Sequence, residues 1–317
     1  MKTRRLIKNF LSKPLKFTSC FEAAESLLGK SKFGYIMCWH DLAPEIFKSH
    51  VEALYPSKPI PLDELINMHK SGKSTKNFFA ITFDDGVGLT VKNISKVCLQ
   101  MNWPVTFYLP VGYLNGESLP YHKVEFLDKS LAEGEYQIPK ISKKFHGKKF
   151  KKDELIKFLR SLIYTEHYEF IDSLLKYFLE KAADSKSILS FENWFPKPIT
   201  WENVKTLSKN SIISFQSHGL THTAVSSLNA DEIEKEMLKS KDIIYQYTER
   251  KIHSFCYPYG GRKSIGDLAP KIAEKYFESA TTLIKGRLNN SNPFYLPRID
   301  LYKNDNKEIV RLKTLLG

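Results

Sequence analysis

Phe78-Phe-Ala-Ile-Thr-Phe-Asp-Asp-Gly86 decides the fold of this 317-residue chain: an uncharged run ends abruptly in two adjacent carboxylates and a glycine. A short apolar stretch closed by turn residues reads as a strand buried on both faces. Two carboxylates at its end would be costly to bury unpaired, so they are expected to meet a cation or protrude into a site. Adjacent side chains point in different directions, which lets one bind a metal while its neighbour stays free for proton transfer. The competing reading is a plain Asp-Asp-Gly turn.

Working outward, Phe33–Trp39, Val105–Val111, Ile212–Gln216, Ile252–Tyr257, Ser279–Leu283 and Tyr295–Leu301 carry similar runs and read as further strands. Between them the 3.6 period predicts helices near 61–71, 88–101, 201–209, 230–249, 264–277 and 305–316, with acidic starts at Asp231-Glu232 and Asp305. Strand-then-helix repetition implies parallel strands with right-handed crossovers. About seven such strands favour an α/β chain built as an incomplete (β/α)7-type barrel. Residues 112–198 break the rhythm, with no convincing strand but helical stretches at Lys152–Leu162 and Tyr168–Lys181. They are expected to form a helical insertion in a barrel loop. The organisation predicted is therefore a basic N-terminal segment at 1–32 and a barrel at 33–317 carrying the insertion at 112–198.

Hydrophobic residues at 42% and charged residues at 26% exclude a wholly disordered chain and a disulfide scaffold. The net charge of +13 is unusual and suits anionic partners. Seven of the lysines fall in 140–152, a solvated face or a docking patch for an anionic carrier or membrane surface. No recognisable nucleic-acid module accompanies them, so no nucleic-acid partner is expected. Cys20, Cys38, Cys98 and Cys256 are scattered without a C-x-x-C pair, which suits a reduced, intracellular chain. Lys13, Pro14 and Lys16 interrupt the apolar stretch a signal peptide needs, and no run reaches the length of a membrane span. Residues 5–17 read either as a surface-lying amphipathic helix or as a helix packed on the barrel. The expected location is the cytoplasm or the inner membrane face.

Other strand ends carry chemistry too. Ser217-His-Gly-Leu-Thr-His222 holds an i, i+4 histidine pair that could converge on one metal ion from a helical turn. Together Asp85, His218 and His222 would give two nitrogens and one oxygen with room for water, the pattern of a catalytic rather than a structural zinc. Tyr257-Pro-Tyr-Gly260, Leu296-Pro-Arg-Ile299 and Trp39-His40-Asp41 also follow or lie near predicted strands. Each has a bland reading: a closing turn, a structural ion-pair arginine at Arg298, a satisfied core histidine at His40. All five fall at the carboxyl ends of parallel strands, where barrel enzymes place their active sites.

On these residues the chain resembles the polysaccharide deacetylases, carbohydrate esterase family 4, with its NodB-homology domain. Thr82–Gly86 matches the first motif of that family, and Ser217–His222 the second apart from Gly219, where Ser or Thr is usual. Phe255–Gly260 is similar to the third in its Tyr-Pro-Tyr-Gly form, with Cys256 in place of the usual arginine. The resemblance covers roughly 33–111 and 199–301. It implies Asp84 as general base, Asp85, His218 and His222 as ligands of a divalent metal, zinc first, and the backbone N–H of Tyr259 as an oxyanion donor. Since Cys256 cannot orient Asp84, Arg298 is expected to supply that charge. No histidine follows His253, so the family's late acid histidine is missing. The branch that deacetylates poly-N-acetylglucosamine has a permuted motif order with this histidine on the first strand, and Trp39-His40 is similar to it, which makes His40 the expected general acid.

The implied function is metal-dependent removal of acetyl from an N-acetylated amino sugar in a polysaccharide, an oligosaccharide or a lipid-linked precursor. A catalytically silent, metal-containing glycan-binding domain is the alternative. The two differ in whether His40 and Arg298 converge on the Asp84 side of the metal ligands.

Overall fold

A computed structural model describes residues 33–141, 144–183, 191–289 and 291–316. The predicted basic segment at 1–32, with its 5–17 helix, lies outside these residues. In chain order the strands are β1 (Tyr35–Trp39), β2 (Lys58–Pro59), β3 (Phe78–Phe83), β4 (Val105–Leu109) and β5 (Glu135–Gln137). They continue with β6 (Lys149–Lys151), β7 (Ile213–Ser217), β8 (Ser254–Cys256), β9 (Ser279–Lys285) and β10 (Leu296–Asp300). Seven of them run parallel in the order β1-β10-β9-β8-β7-β4-β3, and pairing of β1 with β3, Tyr35 opposite Phe79 through Trp39 opposite Phe83, closes the ring. The expected seven-stranded barrel is thus a closed one, with β2 as a two-residue addition beside the start of β3.

Alternation along each strand sorts the core into two layers. Met37, Trp39, Ile81, Phe83, Phe107 and Phe215 face the surrounding helices, and rings stack from Trp39 to Phe83 at 5.5 Å and from Phe107 to Phe215 at 5.7 Å. Burying such aromatic surface is the main favourable contribution to holding helices on the barrel. The strand positions that alternate with these include polar groups, Cys38, Thr82, Tyr108, Cys256 and Arg298, every one of them buried. Tyr108 and Ser254 satisfy each other there at 2.8 Å.

Most predicted helices are present, including 88–101 and 152–162 at their predicted bounds. The stretch 264–277 is two helices, Arg262–Ile265 and Ala269–Tyr276, because Gly266 turns the backbone to φ 67° and Pro270 starts the second one. Helices Pro44–Ala53 and Pro120–Ser130 have no counterpart in the sequence reading. The interval 112–198 is not strand-free either, since β5 and β6 pair antiparallel with Glu135 opposite Lys151. Its helices enclose a separate apolar cluster that includes Val124, Leu127, Leu155, Leu159, Leu174 and Phe178.

The lysine run is less of a free cationic patch than its count suggests. Lys149 pairs with Glu135 at 3.1 Å, Lys144 with Glu166 at 2.7 Å and Lys152 with Glu133 at 3.2 Å. Exposed pairs of this kind contribute little stability, but they neutralise the field around them. Among the described residues no helix is long and apolar enough to cross a membrane.

Candidate active site

The two carboxylates separate because the strand ends between them. The Asp84 amide still donates to the Trp39 carbonyl at 3.0 Å, continuing the ladder, whereas Asp85 and Gly86 turn left-handed at φ 70° and 66°. A left-handed aspartate costs roughly 1–2 kcal/mol, and such strain clusters at functional sites. The Gly86 carbonyl accepts the Ile199 amide at 2.9 Å, which straps the turn to the segment that leads into helix Trp201–Leu207.

Asp84 is gripped by Arg298. Nη1 donates to Oδ1 at 2.8 Å and Nη2 to Oδ2 at 2.6 Å, with both side chains at most 1% exposed. The Arg298 guanidinium also donates to the Thr282 carbonyl at 2.8 Å, Thr82 Oγ1 at 3.2 Å and Cys256 Sγ at 3.0 Å. Cys256 therefore matters by being small: it leaves the barrel interior open to a guanidinium reaching in from two strands away. The third residue of β10 carries that guanidinium, so Arg298 is a mid-strand interior residue and not one at the strand's end. Burial would raise the pKa of Asp84, but the Arg298 charge and its hydrogen bonds hold it far below the usual carboxylate range, so Asp84 is ionised. Cys38 and Cys256 each direct a thiol to Asp84 Oδ2 at 3.6 Å, and burial pushes the Cys38 thiol up so that it stays neutral.

Asp85, His218 and His222 converge, all buried, with one ligand atom from each within 4.8 Å of the others. Asp85 Oδ1 lies 3.3 Å from His222 Nε2 and 3.6 Å from His218 Nε2. His218 Nδ1 is 2.8 Å from the Cys256 carbonyl, which can only accept, so Nδ1 carries the proton and the Nε2 lone pair is left for the cluster. Among the described residues no lysine or arginine forms an ion pair with Asp85. Two imidazole Nε2 atoms and one carboxylate, buried together, suit a divalent cation such as zinc. The overlapping group Asp84, His218 and Cys256 is a poorer donor set, because both Asp84 oxygens are committed to Arg298.

The histidine spacing works by a different geometry from the helical turn expected of it. Gly219 stands at φ 84° and His222 at φ 56° in an irregular loop. Glu236, from helix Ala230–Thr248, braces that loop: Oε2 accepts the Leu220 and Thr221 amides at 2.8 and 3.0 Å, and Oε1 accepts the Thr221 hydroxyl at 2.8 Å. A Cβ at Gly219 would meet Glu236 Oε2 at 3.2 Å, which accounts for glycine at that position here.

His40 stands at the mouth, 36% exposed, with Nε2 at 3.9 Å from Asp84 Oδ2 and Nδ1 at 3.7 Å from Asp300 Oδ1. His40 and Arg298 thus both approach Asp84. Tyr259 sits beside His222 at φ 61°, the two rings 4.8 Å apart, and its hydroxyl is buried with no hydrogen-bond partner among the described residues. Tyr121, Glu236, Asp300 and Cys38 complete the site and escaped the sequence reading. Only Asp300, two residues after Arg298 on one strand, carried a usable signal.

Residues 173–276 match the polysaccharide deacetylase family, a span that holds the second and third motifs and leaves the first, at 82–86, outside. No curated protein matches the sequence. The fold is similar to the Streptococcus pyogenes deacetylase PplD solved in complex with acetate, at TM-score 0.56 and 13% identity over 89% of this chain and 97% of that one. It is also similar to IcaB from Ammonifex degensii, at TM-score 0.56 and 11% identity over 90% and 98% of the two chains. For the BpsB deacetylase domain from Bordetella bronchiseptica the values are TM-score 0.54 and 12% identity over 85% and 96%. Residues 173–276 thus match the polysaccharide deacetylase family within a fold similar to that of solved deacetylases.

Proposed function

We propose that this chain removes acetyl groups from an N-acetylated amino sugar, in a polysaccharide, an oligosaccharide or a lipid-linked precursor, with a divalent metal held by Asp85, His218 and His222. Convergence of His40 and Arg298 on Asp84, beside the Asp85 cluster, is the observation that carries this reading. It favours catalysis over a silent glycan-binding domain, which has no use for an ionised carboxylate gripped inside the barrel.

The cation would supply Lewis-acid activation of the amide carbonyl and the attacking water. Asp84, ionised and fixed by two hydrogen bonds from Arg298, accepts the water's proton. Negative charge developing on the former carbonyl oxygen is met by the Tyr259 backbone N–H. His40, between Asp84 and Asp300 at the open edge of the site, gives a proton to the departing amine. Its separations of 3.9 and 3.7 Å are longer than hydrogen bonds, as is common before substrate draws such groups together. Cleavage yields acetate and a free amine, and the site resets when Asp84 gives its proton to solvent and His40 takes one back.

Acetate release from N-acetylglucosamine oligomers, measured with Zn²⁺ or Co²⁺ and after chelation, tests the reading. Release that requires the metal supports it, and none from any N-acetylated glycan with either metal sinks it. The proposed location is the cytoplasm or the inner membrane face, and fractionation that recovers the chain from the medium or periplasm would overturn that.

A further inference from the structure

The metal-ligand carboxylate has two oxygens with different neighbours. Oδ1 of Asp85 faces both histidines, while Oδ2 accepts a hydrogen bond from the Tyr121 hydroxyl at 3.0 Å. Tyr121 does not belong to the barrel's strand ends. It is the second residue of helix Pro120–Ser130, within the insertion, and Val124 and Leu127 anchor that helix in the insertion's own apolar cluster. The Tyr121 ring lies 4.3 Å from His122 and 6.1 Å from the ligand His222, so the phenol approaches Asp85 along one fixed direction.

A carboxylate free to turn about its Cβ–Cγ bond can offer a cation one oxygen or two. A donor on Oδ2 pins the plane and engages one of the two, in a charge-assisted bond that is stronger than a neutral one. From this geometry we infer that Tyr121 is a positioning residue that holds Asp85 as a one-oxygen ligand, so that the insertion contributes directly to cation affinity at the barrel site. The inference rests on the reading of Asp85, His218 and His222 as metal ligands. Residues that orient metal ligands typically change metal affinity 10–100-fold when removed, and here such a residue comes from the insertion. Coupling must also run in reverse, since a cation that prefers the pinned carboxylate stabilises the helix that pins it.

The test compares the full chain, Tyr121→Phe and Tyr164→Phe, the last a ring that packs on Tyr259 at 4.9 Å and makes no bond to Asp85. Zn²⁺ dissociation constants come from competition with a chromophoric chelator, melting temperatures from the metal-free proteins, and hydrogen exchange of residues 120–130 from samples with and without Zn²⁺. Expected are Zn²⁺ binding about 10-fold or more weaker in Tyr121→Phe, unchanged binding in Tyr164→Phe, equal metal-free melting, and Zn²⁺-dependent protection of 120–130 that Tyr121→Phe loses. Equal affinity in Tyr121→Phe and the parent overturns the inference and leaves the metal reading standing. A fall in affinity matched by a fall in metal-free melting temperature also overturns it, because Tyr121 is then merely structural. A parent chain that binds no Zn²⁺ overturns the metal reading and this inference together.

Discussion

Arg298 and Asp84, 214 residues apart in sequence, form a two-armed ion pair inside the barrel, Nη1 to Oδ1 at 2.8 Å and Nη2 to Oδ2 at 2.6 Å. Neither group is tolerable there alone. Removing one partner of such a pair costs about 3–5 kcal/mol, because an uncompensated charge is left behind. Arg298→Met should therefore lower urea stability by that amount, and Asp84→Asn combined with Arg298→Met should recover most of the loss. Additive losses in the double variant would mean that the two residues do not stabilise each other.

The pair also measures how far the sequence could be read. The motifs that follow strands are visible because most barrel strands are uncharged runs and the loops after them are not, so Asp84, His218 and Tyr259 stand out against what precedes them, whereas Arg298 lies within a strand. With Cys256 in place of an arginine, Asp84 needs another cation, and Arg298 fills the space that the short Cys256 side chain leaves open. Helices Pro44–Ala53 and Pro120–Ser130 were missed although each has proline in its first turn, because neither has a side-chain cap to announce it. Tyr121 was illegible for a different reason: its role depends on how the insertion folds back over the barrel, and no local pattern encodes that.

Glu236 should matter through its shape more than its charge. Its two oxygens satisfy the amides of Leu220 and Thr221 and the Thr221 hydroxyl. In Glu236→Gln one oxygen still accepts both amides and the hydroxyl can turn to accept from the new amide group, so stability should change by less than about 1 kcal/mol. Glu236→Leu leaves buried donors unmet, at about 1–3 kcal/mol each, and should weaken Zn²⁺ binding because the loop carries two of the proposed ligands, His218 and His222. Denaturation curves and the chelator competition check both; equal behaviour of the two variants would contradict the brace.

Two glycines in left-handed conformation separate strain from crowding. At Gly72, φ 70°, nothing lies within 4 Å of an added Cβ, whereas at Gly260, φ 59°, a Cβ would lie 2.4 Å from the Leu283 amide nitrogen. Gly72→Ala should cost about 1–2 kcal/mol, the ordinary penalty of that backbone region. Gly260→Ala should cost clearly more and disturb Tyr259 beside it. Equal losses in urea denaturation would show that the 257–260 turn is not held against β9.

His50 should make stability fall in mild acid. The Trp39 indole N–H donates to His50 Nδ1 at 3.1 Å, and His50 Nε2 lies 2.7 Å from the Asp305 carbonyl, so the neutral ring meets both partners and the protonated ring does not. Burial accordingly lowers its pKa from the usual 6.5. A depressed histidine contributes stability that is complete above pH about 6.5 and is lost as pH falls from there toward the folded value, at up to about 1.4 kcal/mol per pH unit. His50→Gln, which keeps one acceptor and one donor, should flatten that part of the stability curve. Parallel curves for the two proteins between pH 7.5 and 5.5 would contradict the assignment.

The most direct test of the central claim is acetate release from a chitooligosaccharide or other N-acetylated glycan that the parent chain deacetylates with Zn²⁺, measured side by side in Asp84→Asn and His218→Ala. The account predicts a loss of about 10²-fold or more in each, from removing the proton acceptor in one and a metal ligand in the other. Release unchanged in both variants would contradict it.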